Sequence, residues 1–108
     1  MPPKTISISE FQPTESLRQA AISFLELLQP DDILKIGPIQ IWKTELGNLI
    51  SDGNQRAAVL TEKGVKEIEV DYQEEIPEYL DNFRDIVLER AQALQQAGIF
   101  TPYDLLQA

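Results

Sequence analysis

The side chains of this sequence that could do chemistry are almost all carboxylates. Asp71, Glu74, Glu75 and Glu78 lie close together in the sequence, and a carboxyl pair acts as general acid and base when burial separates the pKa values of its members. The surrounding pattern does not indicate such burial. The sequence also has no histidine and no cysteine, which removes the commonest general base and the thiol nucleophile. We therefore expect a protein that is not an enzyme and uses no cofactor.

The same carboxylates form a candidate cation site. Ca²⁺ binds through about six to eight oxygen ligands, and Asp71, Glu74 and Glu75 are the residues that would hold it. The sequence has no EF-hand loop, since Asp52-Gly53-Asn54 lacks both the series of ligands and the bidentate glutamate of that motif. An acidic Ca²⁺-binding protein without an EF-hand is therefore an alternative function.

The acidic residues are concentrated between Glu62 and Glu89. This stretch has ten acidic and three basic residues, so it contributes −7 of the formal net charge of −9. Such a surface can attract a basic partner or imitate a nucleic-acid backbone and so inhibit a basic protein. It can also be no more than a solvated strand and helix face. The acidic residues of the partner-binding hypothesis are Glu67, Glu69, Asp71, Glu74, Glu75 and Glu78.

The overall charge argues against two classes of partner. A chain of net charge −9 and pI near 4.3 lacks the clustered lysine and arginine that displace counterions from nucleic acid or bind anionic lipid. No stretch is apolar for long enough to span a bilayer, and the N-terminus lacks the apolar core of a signal peptide. Because cysteine is also absent, we expect a soluble cytoplasmic protein with no direct contact to nucleic acid or membrane.

Aromatic residues complete the predicted interaction surface. If Ile39 and Ile41 point to the core, Trp42 alternates towards the surface, where tryptophan is typical of binding hot spots. The alternative is that Trp42 packs under the first helix. Phe100 and Tyr103 lie in an apolar C-terminal segment that must dock on its own domain, on a second copy or on a partner. A homodimer is therefore a further expectation.

Helices that would position these residues are predicted from periodicity and capping residues. The length of 108 residues predicts one domain over 1–108. In residues 1–13, Ile6 and Ile8 alternate with Ser7 and Ser9, which predicts an extended arm or an edge strand. Apolar stripes and helix-start signals predict a helix over about 15–29, a long helix over about 77–97 and a short one over about 102–107.

A small antiparallel sheet of three to five short strands is predicted between these helices, over roughly 33–72. Its strongest signal is two β-rich runs that meet at Lys63-Gly64, a pair suited to a hairpin turn, with Val59 opposite Ile68. A further strand is predicted at 33–36. The predicted class is α+β, with a helix pair and an extended ribbon as the alternative. The predicted function is a non-enzymatic protein-interaction or regulatory module with an acidic, partly aromatic surface.

Overall fold

The computed structural model describes residues 3–108; Met1 and Pro2, which begin the predicted arm, lie outside the described residues. Over the described residues the chain forms five strands and five α-helices, which confirms the α+β class. The strands are β1 (Pro3–Ser7), β2 (Phe11–Gln12), β3 (Ile39–Thr44), β4 (Gly47–Asp52) and β5 (Glu67–Gln73). The helices are α1 (Gln19–Glu26), α2 (Pro30–Lys35), α3 (Asn54–Glu62), α4 (Asp81–Gln96) and α5 (Pro102–Gln107). Single 3₁₀ turns occupy Ile8–Glu10 and Glu78–Leu80.

The five strands form one mixed sheet in the order β1-β5-β3-β4-β2. The pairs β1–β5 and β3–β4 are antiparallel, whereas β3–β5 and β2–β4 are parallel. The sheet is mixed rather than antiparallel because β5, which follows β4 through α3, pairs with β3 instead of β4, and because β2 runs parallel to β4. β1 lies at one edge of this sheet, and β2 at the other.

The predicted hairpin at Lys63-Gly64 is wrong, because its first strand is the helix α3. Residues 57–60 are apolar and buried at every position, so the run has no period that separates helix from strand. Gly64 takes a φ of +87°; its N–H donates to the Thr61 carbonyl, and the Val65 N–H donates to the Leu60 carbonyl. These are the two hydrogen bonds of a Schellman motif. The glycine therefore ends a helix, and helix packing replaces the predicted cross-strand pairs.

The predicted strand at 33–36 is also wrong, because these residues belong to α2 and its C-terminal end. Pro30, which was expected to end the first helix, is the first residue of α2, where proline has no helical hydrogen bond to lose. Asp31 and Asp32 lie in the first turn of α2, where negative charge favours the helix dipole. The apolar residues after them therefore continue a helix.

The first helix begins four residues later than predicted, because two buried side chains of α3 hold the preceding segment. The Gln55 amide oxygen accepts the Arg18 N–H at 2.8 Å, and its nitrogen donates to the Ser16 carbonyl at 2.9 Å. The Asn54 oxygen accepts the Thr14 N–H at 2.8 Å, and its nitrogen donates to the Thr14 hydroxyl at 3.0 Å. Backbone groups that would have begun α1 are therefore bonded to α3.

Each face of the sheet has its own core. Ile41 and Ile50 belong to the core that packs against α1, α2 and α3. Trp42 follows Ile41 on β3, and Leu49 precedes Ile50 on β4. Both pack on the opposite face of the sheet against α4. The sequences of β3 and β4 therefore lack a regular alternation of apolar and polar residues, because helices cover both faces of these strands.

The two C-terminal helices confirm the prediction. A single 3₁₀ turn precedes α4, and Gly98 ends it with a φ of +83° and the same pair of terminal hydrogen bonds as α3. A capping box between Thr101 and Asp104 begins α5. Within residues 3–108, no helix has the length and apolar character needed to cross a bilayer.

Residues 3–12 supply both edges of the sheet. Only the 3₁₀ turn Ile8–Glu10 joins β1 to β2, although three strands lie between them. In a flat sheet the two edges would be about 19 Å apart, at about 4.8 Å per strand. The chain from Ser7 to Phe11 reaches about 14 Å at most. The sheet must therefore curl, so that its edges approach each other at this end.

Candidate functional site

Three acidic residues stand on one face of β5 and form a surface called here the acidic strand face. Glu67 and Glu69 are exposed and Asp71 is half-buried. The intervening positions of β5, which are buried in the core, are Ile68, Val70 and Tyr72. The neighbouring strand is β1, which places Ser7 opposite Glu67 and Thr5 opposite Glu69. The apolar residues of β5 alternate with its acidic residues, as the sequence indicates. The antiparallel partner of β5 is β1, whereas the predicted hairpin would have paired it with the residues before Lys63.

The remaining predicted acidic residues follow the acidic strand face along the chain. Glu74 and Glu75 are exposed in the bend after β5, and Glu78 is exposed in the 3₁₀ turn before α4. Asp81 lies in the first turn of α4. Negative charge therefore extends from the sheet to the start of α4.

The structure gives no geometric support to the predicted cation site. Among residues 3–108, no group of three or more acidic side chains converges where one metal ion could be held. Asp71 lies on the strand, whereas Glu74 and Glu75 lie in the bend that follows it. The Ca²⁺ alternative therefore rests on composition alone.

Trp42 is buried beneath α4, which corrects both interpretations of this residue. Only 4% of its surface is exposed. Its ring meets the edge of the Phe83 ring, with centroids 5.4 Å apart and planes at 82°, a favourable aromatic geometry. Trp42 does alternate away from the α1 side of the sheet, as expected, but α4 covers that second face.

An apolar stripe runs along the outside of the α4 region and was not predicted to be exposed. Phe83 and Ile86 are three residues apart and so lie on one side of α4, and Tyr79 lies in the 3₁₀ turn before the helix. The exposed fractions of Tyr79, Phe83 and Ile86 are 85%, 43% and 45%. The buried positions of α4 are Val87 and Ala91, and Phe83, four residues before Val87, contacts Trp42 of the same core. We call Tyr79, Phe83 and Ile86 the α4 stripe.

A small recess lies beside Asp71 of the acidic strand face, and one of its lining residues, Trp42, contacts Phe83 of the α4 stripe. Its volume is about 160 Å³, and Gln40, Trp42, Asp71 and Gln73 line it. Trp42 contacts Phe83 on one side, and Gln40 is paired with Asp71 on the other. Trp42 therefore links Asp71 of the acidic strand face to Phe83 of the α4 stripe.

The aromatic residues of the C-terminal segment lie elsewhere on the molecule. Phe100 and Tyr103 are exposed, whereas Leu105 is buried. The helix α5 packs against α3 and the 3₁₀ turn Ile8–Glu10. The segment therefore docks on its own domain. Tyr103 lines a cleft together with Lys66 and with Ser7, the residue opposite Glu67, whereas neither aromatic residue lines the recess beside Trp42 described above.

A cleft beside the start of α3 was missed by the sequence reasoning. We call it the α3 cleft; it has a volume of about 290 Å³ and lies between α1 and the β4–α3 turn, with Arg18, Phe24, Ile36 and Ser51–Arg56 among its lining residues. A second, more open cleft of about 550 Å³ shares Arg18 and is lined by Arg90 of α4. Polar residues directly before the apolar run of α3 were the signal that could have indicated it.

The charges around these two clefts differ from those of the rest of the chain. Arg56 pairs with Asp52 at 3.4 Å, and Arg90 with Glu15 at 3.9 Å. Within the described part of the chain, no acidic side chain lies within ion-pair distance of Arg18. Three of the four arginines in the sequence thus line these clefts, together with two carboxylates, so positive charge is in excess there.

A carboxyl pair links the end of α3 to the end of α1. A hydrogen bond with the Glu26 carboxyl group, together with burial, raises the pKa of Glu62, whereas Lys63 acts in the opposite direction. The Lys63 ammonium donates to the Glu26 carbonyl at 3.0 Å. This pair is an exposed contact between helices and lies outside the surfaces described above.

Comparison with known proteins establishes the fold alone. No family model matches the chain, and a search of curated proteins finds no match. A conserved hypothetical protein from Pyrococcus furiosus is 24% identical with a TM-score of 0.56, over 72% of this chain and 34% of that one. A protein from Agrobacterium tumefaciens is 11% identical with a TM-score of 0.54, over 83% of this chain and 48% of that one. The chain therefore spans about a third to a half of the length of these two structures.

Proposed function

We propose that this chain is a non-enzymatic protein-interaction module, in which the acidic strand face and the α4 stripe bind a basic segment of a partner protein. The observation that carries the proposal is that Trp42 lines a recess with Asp71 and also contacts Phe83. Asp71 lines this recess, and Phe83 contacts the tryptophan that forms its wall. A segment that pairs with the acidic residues would thus reach the apolar side chains at the same time.

The two surfaces have different physical roles in this proposal. Exposed carboxylates attract a basic partner over a distance and set the rate of encounter. The α4 stripe supplies apolar and aromatic area, which is the main source of affinity at interface centres. Tyr79 is the most exposed of its members, and we expect it to be the principal anchor. We place this interaction in the cytoplasm and assign it a regulatory role, because the module acts by occupying its partner.

Binding to a lysine- and leucine-rich amphipathic peptide tests this function. Fluorescence anisotropy measures the affinity of the fluorescently labelled peptide, and amide chemical shifts locate its site on the protein. Three exposed ion pairs contribute about 0.6–3 kcal/mol together, so the triple variant Glu67→Gln, Glu69→Gln, Asp71→Asn should bind about 3- to 150-fold more weakly. The salt dependence of binding should also become shallower.

Matched variants separate a specific surface from net charge. The triple variant Glu10→Gln, Asp31→Asn, Asp32→Asn removes the same charge from residues outside the acidic strand face. Equal weakening by both triple variants would refute the proposed surface. Tyr79→Ser should weaken the complex by about tenfold, as expected for an interface anchor.

Inhibition of a nucleic-acid-binding protein is the narrower form of the same function. Glu67, Glu69 and Asp71 stand in a row on the strand, as a mimic of a phosphate backbone requires. A partner recovered from the native cytosol through the acidic strand face should then be released by duplex DNA. Retention of that partner in excess DNA would contradict the mimic.

A second candidate function is the binding of a small anionic molecule at the α3 cleft. The observation that favours it is the convergence of Arg18, Arg56 and Arg90 around adjoining clefts in a chain of net charge −9. Arginine binds phosphate and carboxylate groups through paired N–H donors. The cleft is large enough for a group of that size and also has the apolar lining of a ligand site.

Inorganic pyrophosphate is a suitable probe for this second function. Its binding should raise the melting temperature, and Arg18→Gln should abolish the rise. Arg84→Gln is the matched control, because Arg84 lies away from both clefts and pairs with Glu45 at 3.3 Å. A rise that survives Arg18→Gln, or no rise at all, would exclude this site.

A further inference from the structure

We propose that the basic segment of the partner binds as an α-helix, which lies on the uncovered half of the second face of the sheet. The second face is the one against which α4 packs. Its uncovered half, which we call the open sheet face, consists of Thr5, Ser7, Gln40, Glu67, Glu69 and Asp71. The inference rests on the function proposed above and adds the form and the position of the bound segment.

The register of the strands places these residues on one face of the sheet. Side chains of directly paired residues on neighbouring strands point to the same side. Thr5 is paired with Glu69, and Gln40 with Asp71. Trp42 lies two positions after Gln40 on β3, so it points to the same side as Gln40. The acidic strand face and α4 therefore lie on the same side of the sheet.

The helix α4 covers only part of this second face. It packs on Trp42 of β3 and Leu49 of β4. Over β1 and β5, in contrast, Thr5, Glu67 and Glu69 are exposed. The first face of the same two strands is buried against helices. A further helix is therefore the element that would complete the second face, and three carboxylates require that this helix be basic.

The open sheet face has the dimensions of one helix. From β1 across β5 to β3 the distance is about 10 Å, at about 4.8 Å per strand, and a helix with its side chains is about 10–12 Å wide. Alternate residues along a strand are about 6.7 Å apart, and residues four apart on a helix are separated by about 6 Å along its axis. Lysines at positions i, i+4 and i+8 of a helix thus match Glu67, Glu69 and Asp71.

An extended segment would not make the same contacts. On the open sheet face it would leave without protein partners the N–H and C=O groups that a helix satisfies internally. Added as a strand at the edge of β1 it would pair its backbone, but it would lie three strands, or about 14 Å, from β3. It would then miss Trp42 and the α4 stripe, which contacts Trp42 through Phe83. A helix over β5 lies only one strand from Trp42.

Two isotope-labelled peptides of identical composition test the form of the bound segment. The first has lysines four residues apart with leucines along one adjoining side, and the second alternates lysine and leucine as a strand does. The first should bind and show helical Cα chemical shifts in the complex, and the second should bind at least about tenfold more weakly. A central proline in the first peptide should weaken its binding by about 100-fold, because proline in a helix interior is strongly unfavourable.

Matched variants of the protein test the position. Thr5→Lys places a positive charge beside Glu69 on the open sheet face and should weaken binding of the first peptide by about tenfold. Gln19→Lys adds the same charge at an exposed position of α1, which packs on the other face of the sheet, and should change the affinity less than about twofold. Amide hydrogen exchange of β1 should stay unchanged, since only an added strand would protect the edge of β1.

The outcomes separate this inference from the function on which it rests. Extended chemical shifts in the bound peptide, tolerance of the central proline, protection of the β1 amides or equal effects of Thr5→Lys and Gln19→Lys would each overturn the helix on the open sheet face. Such results would still leave a protein that binds basic peptides. Failure of both peptides to bind would overturn the proposed function as well.

Discussion

Gly53 is the position where a single added methyl group should do most harm. Its φ is +110°, and a Cβ atom there would lie 2.8 Å from the Ile39 Cγ1 atom and 3.2 Å from its Cβ atom. Ile39 is 2% exposed and belongs to the core, so it cannot move away freely. Gly53→Ala therefore combines a strained backbone with a steric clash at the start of α3.

The magnitude of the effect follows from these two contributions. A non-glycine residue in a left-handed conformation is destabilised by about 1–3 kcal/mol. Insertion of a methyl group into a packed core adds about 1–3 kcal/mol. The expected loss of about 2–6 kcal/mol is a large part of the stability of a domain of this size, which is of the order of 5–15 kcal/mol.

Gly47→Ala isolates the steric contribution. Gly47 has the same φ of +110°, but apart from its two chain neighbours no residue comes within 4 Å of the position that a Cβ atom would take there. Urea unfolding of the two variants should therefore show a loss of about 1–3 kcal/mol for Gly47→Ala and a clearly larger loss for Gly53→Ala. Equal losses would refute the close approach of Gly53 to Ile39.

Three other predictions concern burial, hydrogen bonding and titration. Trp42→Ala should lower the free energy of unfolding by about 3–5 kcal/mol, and Trp42 fluorescence should resist acrylamide quenching until the protein unfolds; free quenching of the native protein would contradict its burial. Asn54→Ala removes the acceptor of the Thr14 N–H and the donor to the Thr14 hydroxyl and should cost about 1–3 kcal/mol; a double-mutant cycle with Thr14→Val checks the bond to the hydroxyl, and strictly additive losses would count against it. The pKa of Glu62 is raised in the folded protein, so the contribution of Glu62 to stability is present at low pH and is lost as the pH rises through that pKa. An NMR titration should show the raised pKa of Glu62 in the wild type and a lower one in Glu26→Gln. An ordinary pKa of Glu62 in both proteins would exclude the carboxyl contact.

Elements with local signals could be predicted from the sequence. The helix α5 begins with Thr101-Pro102 and ends as expected, because a cap and a first-turn proline act within a few residues. The strand β5 was predicted because it alternates apolar and acidic residues, with only one side of it in the core. Period and local capping were sufficient in both cases.

The α3 region could not be predicted by the same means. A helix that is buried on every side has no polar face, so residues 57–60 match a strand as well as a helix. The Gly64 that follows is suited both to a hairpin turn and to a helix end. The choice depends on tertiary contacts, above all on the bonds of Asn54 and Gln55 to residues 14–18.

The candidate site was predicted only in part. The acidic strand face follows from the alternation of β5. The burial of Trp42 and the exposure of Tyr79 depend on where α4 lies over the sheet, and no local pattern specifies the position of a helix on a sheet face. The α3 cleft likewise joins residues distant in the sequence, such as Arg18 and Arg56.

The two edge strands have a consequence for the order of folding. During synthesis β1 and β2 emerge first, but β1 has no partner until β5 has emerged, more than fifty residues later. Contacts between such distant parts of a chain slow folding, because a long loop must close before they form. The N-terminal segment is thus made first and docks late, when it closes both open sides of an assembled sheet. Until that moment the exposed strand edges can pair with other chains, so the vulnerable period ends only after residue 73 has been synthesised.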